Sequence, residues 1–137
     1  MSKAVKRGSL TLLFVILAVV GAFAVASSTA ASRPAPREVV LVAEDMAFYL
    51  ADAQGPAREP NPTLVVRRGE TVRLVLVNRD LGMDHDFVAG ALEVATPVAP
   101  GDGSTTSAVF EAPMEPGRHE YLCSLHAQMM RGVLEVR

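Results

Sequence analysis

Residues Thr71 to Asn78, TVRLVLVN, alternate with a period of two. Val72, Leu74 and Leu76 fall on one face, and Val75 and Val77 on the other. That period places side chains on opposite sides of a pleated strand and cannot line one side of a helix. Shorter runs that read as strands lie before and after it: Glu38–Ala43, Thr63–Arg67, Ser107–Glu111, Arg118–Cys123 and Gly132–Val136. The stretch Asp45–Tyr49 either continues the first run or turns back from it. Between the runs lies turn chemistry: ADAQGPAREPNP at 51–62, Arg68-Gly69-Glu70, PVAPGDGS at 97–104, and Pro113 to Pro116-Gly117. No long amphipathic helix is visible after residue 26. Short strands split by Gly/Pro turns predict an all-β antiparallel sandwich or barrel.

The first 26 residues obey a different rule. MSKAVKR is basic, Leu10 to Ala26 carries no charge, and Ala24-Val25-Ala26 has the small-x-small form of a cleavage site before Ser27. This is the pattern of a secretory signal. The apolar run is just short of the ~20 residues that span a bilayer comfortably, so an uncleaved anchor helix is the competing reading. Either way the chain is expected to be exported, to the periplasm or another extracytoplasmic space. The only cysteine is Cys123, which excludes a lipid anchor on an N-terminal cysteine. Residues 27–36, SSTAASRPAP, read as a linker. The globular domain is expected over 37–137, about 100 residues, enough for one modest core.

Charge narrows the partners. The net charge is −2, and from residue 27 onward ten arginines face fifteen acidic residues with no lysine. A nucleic-acid binder would show a basic excess, so none is expected. One cysteine also excludes an internal disulfide framework and any site in one chain that needs two thiolates.

The chemistry concentrates near the C-terminus. Tyr121-Leu-Cys-Ser-Leu-His-Ala-Gln-Met-Met-Arg-Gly132 brings a thiol, an imidazole and two thioethers into one short loop. Soft and borderline donors in this combination suit copper. Cys123-x2-His126 lets both side chains converge on one ion, and a second imidazole must come from elsewhere. His119 stands four residues before Cys123 on the same strand, about 13 Å away if extended, and does not reach. His85 follows the strongest strand and a loop that can lie at the same end of a sandwich. The expected ligands are therefore His85, Cys123 and His126, with Met129 or Met130 as a weak axial thioether. Two histidines, one cysteine and a long axial methionine form an electron-transfer copper site. Asp84-His85-Asp86 with Cys123 as a hydrolytic nucleophile is the poorer reading, because it leaves the methionine and the all-β pattern unexplained.

The chain at this point resembles the cupredoxins, the plastocyanin, azurin and amicyanin type of small exported blue copper protein. The resemblance spans roughly residues 38–137. It rests on Pro62-Thr-Leu-Val-Val with Gly69-Glu-Thr-Val72, Asn78 with His85-Asp-Phe87, and Phe110-Glu-Ala-Pro113. Most specific is Pro116-Gly…Tyr121-x-Cys123-x2-His126 followed by Met130-Arg-Gly132. It implies a Greek-key β-sandwich with one type 1 copper ion at one end, cycling between Cu(I) and Cu(II). In such proteins the ligand methionine stands two residues before the glycine that opens the last strand. Met130-Arg131-Gly132 meets that rule, which favours Met130 over Met129.

The resemblance also marks departures. Many members carry Asn after the first histidine ligand, bridging to the cysteine loop; Asp86 accepts such bonds but donates only when protonated. Leu125 stands where many short-loop members have proline, so its N–H is free to reach the Cys123 sulfur and raise the potential. The function implied is a one-electron carrier between redox proteins, monomeric and not an enzyme. The ring edge of His126 is the expected electron port, with Leu81, Gly82, Met83, Pro113 and Ala127 as an apolar docking patch. The alternative is a periplasmic copper carrier or assembly factor for a copper oxidase. A domain that kept the fold only for adhesion or assembly is disfavoured by the intact ligand set.

Overall fold

A computed structural model describes residues 33–52 and 58–137; the expected signal or anchor helix lies outside them. Nine strands occur among the described residues. In chain order they are β1 Arg37–Glu44, β2 Ala47–Leu50, β3 Leu64–Val66, β4 Thr71–Asn78, β5 Val88–Ala89, β6 Val94–Ala95, β7 Thr105–Glu111, β8 Gly117–Leu122 and β9 Arg131–Val136. They form a sheet ordered β2-β1-β4-β7 and a second ordered β3-β9-β8-β5-β6. The chain crosses between the sheets after β2, β3, β4, β6 and β7. The fold is all-β, as expected, but not wholly antiparallel. β1 runs parallel to β4, and β3 parallel to β9. Each parallel pair joins strands whose intervening chain crosses to the other sheet, a tertiary pairing that local periodicity does not encode. No helix among the described residues is long and apolar enough to cross a membrane.

The β4 alternation is realised: Val72, Leu74 and Leu76 are buried, whereas Arg73 is exposed and Val75 and Val77 are half-buried. Asp45 and Met46 settle the open point after β1. Glu44 pairs with Ala47, so a two-residue turn reverses the chain. Both turn residues have positive φ, 52° and 57°. Two-residue hairpins favour such left-handed turns because their twist matches that of the strands.

Leu41, Leu74, Leu76, Leu134 and Val136 fill the core. An aromatic trio sits among them: Phe48 from β2, Phe87 just before β5, and Tyr121 from β8. Ring centroids are 5.1 Å apart for Phe87–Tyr121, 5.7 Å for Phe48–Tyr121 and 6.3 Å for Phe48–Phe87. Such pairs contribute about 0.5–1.5 kcal/mol each beyond area burial. The Tyr121 hydroxyl donates to the Pro62 carbonyl at 2.6 Å, so no polar atom of the trio is stranded. The trio clamps the two sheets together. Phe87 lies two residues from His85 and Tyr121 two from Cys123, so it also steadies both chains that carry expected ligands.

Candidate metal centre

One end of the sandwich collects the end of β4, the turn between β1 and β2, and the loop from β8 to β9. His85, on the chain that leaves β4, forms an isolated bridge with Ala99: its N–H donates to the Ala99 carbonyl at 3.1 Å, and Ala99 returns the bond at 2.7 Å. Buried Asn78 organises the approach. Its Nδ2 lies 2.7 Å from the Met83 carbonyl, 2.9 Å from that of Ala99 and 3.1 Å from that of Pro100, and its Oδ1 accepts the Asp80 N–H. Gly101 lets the two loops touch, since a Cβ there would lie 2.3 Å from the Met83 nitrogen. The Pro97–Ser104 stretch, expected only as a loop, is thus part of the wall behind His85.

The second half of the centre is a tight loop. The Cys123 N–H donates to the Met130 carbonyl at 2.9 Å, and the N–H groups of Met129 and Met130 both reach the His126 carbonyl at 3.0 Å. Asn61 ties this loop to β2, donating from Nδ2 to the Met129 carbonyl while its Oδ1 accepts the Phe48 N–H. Gly132 permits the close approach that follows: a Cβ there would lie 2.4 Å from the Tyr121 ring.

His85, Cys123 and His126 converge, with one donor atom from each lying within 4.8 Å of the others. Cys123 Sγ is 3.7 Å from His85 Nδ1 and 3.6 Å from His126 Nδ1. The two imidazole centroids are 4.9 Å apart. A thiol has one hydrogen, so it can satisfy only one of the two nitrogens that face it. A metal ion satisfies all three. Donor atoms spaced as these are would fit one shared ion held by bonds of about 2.0–2.3 Å. His85 Nε2 is 2.9 Å from Asp80 Oδ2, which leaves Nδ1 with the free lone pair. Burial pushes the Cys123 thiol up, against the downward pull of the Asp86, Leu125 and His126 backbone N–H groups; the Asp86 carboxylate adds to the rise. A dry thiolate in such a place needs a cation.

Among the candidate axial groups, Met130 is fully buried and Met129 is 55% exposed. His119 lies partway along β8 outside the cluster, its Nε2 buried without a hydrogen-bond partner. Asp86 does bridge to the cysteine loop. Its carboxylate accepts the Ser124 N–H at 2.6 Å and the Ser124 hydroxyl at 2.5 Å, so Ser124 supplies both hydrogens.

The expected docking patch needs one correction. Leu81 and Met83 are exposed at the metal end, joined by Leu125 and Met129. Pro113 is at the other end. β7 runs antiparallel to β4, pairing Glu111 with Thr71, and Ala112 bonds to the Gly69–Glu70 turn. Asp80 is the residue that the sequence reading missed. Its position two residues after Asn78 and five before His85 was the available signal.

The family model for the cupredoxin-like domain matches residues 14–136. Similar solved structures include auracyanin A, a "blue" copper protein from the green thermophilic photosynthetic bacterium Chloroflexus aurantiacus, at 20% identity and TM-score 0.56, covering 75% of this chain and all (100%) of that one. Auracyanin B matches at 23% identity and TM-score 0.56, covering 77% of this chain and 92% of that one. The copper protein rusticyanin matches at 25% identity and TM-score 0.53, covering 73% and 76%. No curated protein sequence matches the chain significantly. Taken with the two-sheet fold and the single converging Cys-His-His cluster among the described residues, the match identifies the chain as a member of the cupredoxin-like domain family.

Proposed function

We propose that the chain is an exported one-electron carrier built around one type 1 copper ion. The observation that carries this reading is the convergence of one cysteine sulfur and two imidazole Nδ1 atoms in a buried cluster. His85 Nδ1, Cys123 Sγ and His126 Nδ1 are the proposed ligands, with the Met130 thioether as the weak axial one. What copper supplies when bound is a one-electron couple, Cu(II) to Cu(I) and back, fed by a donor protein and drained by an acceptor. The chain's own residues hold the cage rigid, so that little rearranges on electron transfer. His126, half-buried while His85 and Cys123 are fully buried, is the proposed port. The exposed Leu81, Met83, Leu125 and Met129 beside it suit the small, transient interfaces of redox encounters. The proposed division is an export segment at 1–26, a linker at 27–36 and the copper domain, acting as a monomer, at 37–137.

Copper delivery to an oxidase is the second reading, favoured by the exposed thioethers of Met83 and Met129. Voltammetry and chelator competition separate the two. A carrier shows a reversible couple and keeps its copper in both oxidation states; ready loss of Cu(I) to a mild chelator would favour delivery.

Two further results are expected. Met130→Gln retains copper but shifts the visible spectrum and lowers the potential, because an axial ligand tunes the site rather than holding it. Met129→Gln leaves both nearly unchanged, and the reverse pattern would assign Met129. N-terminal sequencing of native protein is expected to begin at Ser27; intact Met1 or Ser2 on membrane-bound material would indicate an anchor.

A further inference from the structure

His85 is held from both sides. Its Nδ1 faces Cys123, and its Nε2 meets Asp80 Oδ2 at 2.9 Å with the ring fully buried. The same carboxylate caps the β1–β2 turn, where Oδ1 accepts the Asp45 N–H at 2.7 Å and Oδ2 the Met46 N–H at 3.1 Å. Those two residues hold positive φ without being glycine, a conformation that carries a steric cost for most L side chains. Asp80 offsets that cost by accepting both N–H groups. Its own backbone is fixed by the bond from its N–H to Asn78 Oδ1. The Asp80 side chain is 13% exposed, so its charge acts through a largely dry path. Partial burial opposes ionisation, but the Met46 and Asp45 N–H groups and His85 together hold Asp80 below the usual carboxylate range.

We propose that Asp80 is the positioning and potential-setting residue of the metal centre. It fixes His85 in the tautomer that turns a bare Nδ1 to the ion, and its negative charge favours the higher oxidation state. Copper proper rests on the functional reading above; the placement of the ring does not. A carboxylate on the far nitrogen of a ligand histidine fixes the ring and raises its basicity. Because Cu(II) with a thiolate carries one more positive charge than Cu(I) with a thiolate, that carboxylate stabilises the oxidised form more and lowers the potential. The hairpin turn thereby becomes part of the metal site, although it contributes no ligand.

Asp80→Asn keeps the side-chain shape and one acceptor but removes the charge. In the copper-loaded full-length chain its potential is expected to rise. Cu(II) affinity should fall about 10–100-fold while Cu(I) affinity falls less. In the metal-free chain, long-range proton–nitrogen correlation of the His85 ring should show a single Nε2–H tautomer, lost as a mixture in Asp80→Ala. Should either variant fail to fold, adding Met46→Gly relieves the turn and preserves both readouts. An unchanged or lower potential in a blue Asp80→Asn protein would overturn the charge role. An Asp80→Ala ring that keeps its one tautomer would overturn the positioning role. The tautomer readout needs no metal, so it decides the placement of His85 even where a wild-type chain that is not blue defeats the copper reading.

Discussion

Cys123→Ser is expected to abolish the intense visible absorption of the copper-loaded chain while the domain stays folded. The band arises from charge passing from a thiolate to Cu(II), and the chain has one sulfur of that kind. Serine replaces it with a hydroxyl of nearly the same shape, which can hydrogen-bond to one of the imidazole nitrogens now 3.6 and 3.7 Å from the sulfur. The cost is that of a partly satisfied buried hydroxyl, about 1–3 kcal/mol, which lowers stability without removing the core. Far-UV dichroism and the visible spectrum, recorded on the same sample, check the two halves of the expectation. His85→Ala should likewise alter or abolish the spectrum. His119→Ala should leave it nearly unchanged, because that ring lies outside the cluster. A serine variant as blue as the parent would remove Cys123 from the site.

Gly132→Ala is expected to be the most damaging single-methyl change in the last strand. Its Cβ would enter the Tyr121 ring, 2.4 Å from both Cζ and the hydroxyl oxygen. Tyr121 has nowhere to go: its hydroxyl is bonded to Pro62, and its ring is stacked on Phe87 and met edgewise by Phe48. Overpacking of this sort costs about 1–3 kcal/mol, or roughly 5–20 °C in Tm for a domain of this size. The pairing of Tyr121 with Gly132 also sets where β9 begins, and so where Met130 lies. Copper uptake is therefore expected to weaken along with stability. Gly90→Ala is the control, since nothing lies within 4 Å of its Cβ position; it should change stability by less than about 0.5 kcal/mol. Thermal unfolding of the two variants side by side checks this, and equal Tm values would mean that β8 and β9 can separate more freely than their packing indicates.

The legible parts of the chain were those whose signal is local. Thr71–Asn78 announces β4 because one buried face imposes a period of two. Cys123-x2-His126 announces a metal loop because its donors are close in sequence. Val88–Ala89 and Val94–Ala95 escaped notice because two residues are too few for any period to show. The parallel pairings of β1 with β4 and β3 with β9 depend on which sheet each crossover joins, which no single segment records. Pro113 was misplaced for the same reason, since only the direction of β7 puts it at the far end. Asp80 was missed because its partners, Asp45, Met46 and His85, come together only in the folded molecule. A turn with two non-glycine left-handed residues also carries no hairpin signature of its own. Asp86 shows how a departure is accommodated: the carboxylate cannot donate as an amide does, and Ser124 provides both donors instead.

The proposed carrier holds one copper ion through the Cys123 sulfur. Titration of the metal-free full-length chain with Cu(II), followed by visible absorption and EPR together, tests it most directly. An intense thiolate-to-Cu(II) band that grows to one equivalent and then stops, with a single EPR species, is the predicted result. Copper bound without that band, or a colourless chain that takes up none, would contradict it.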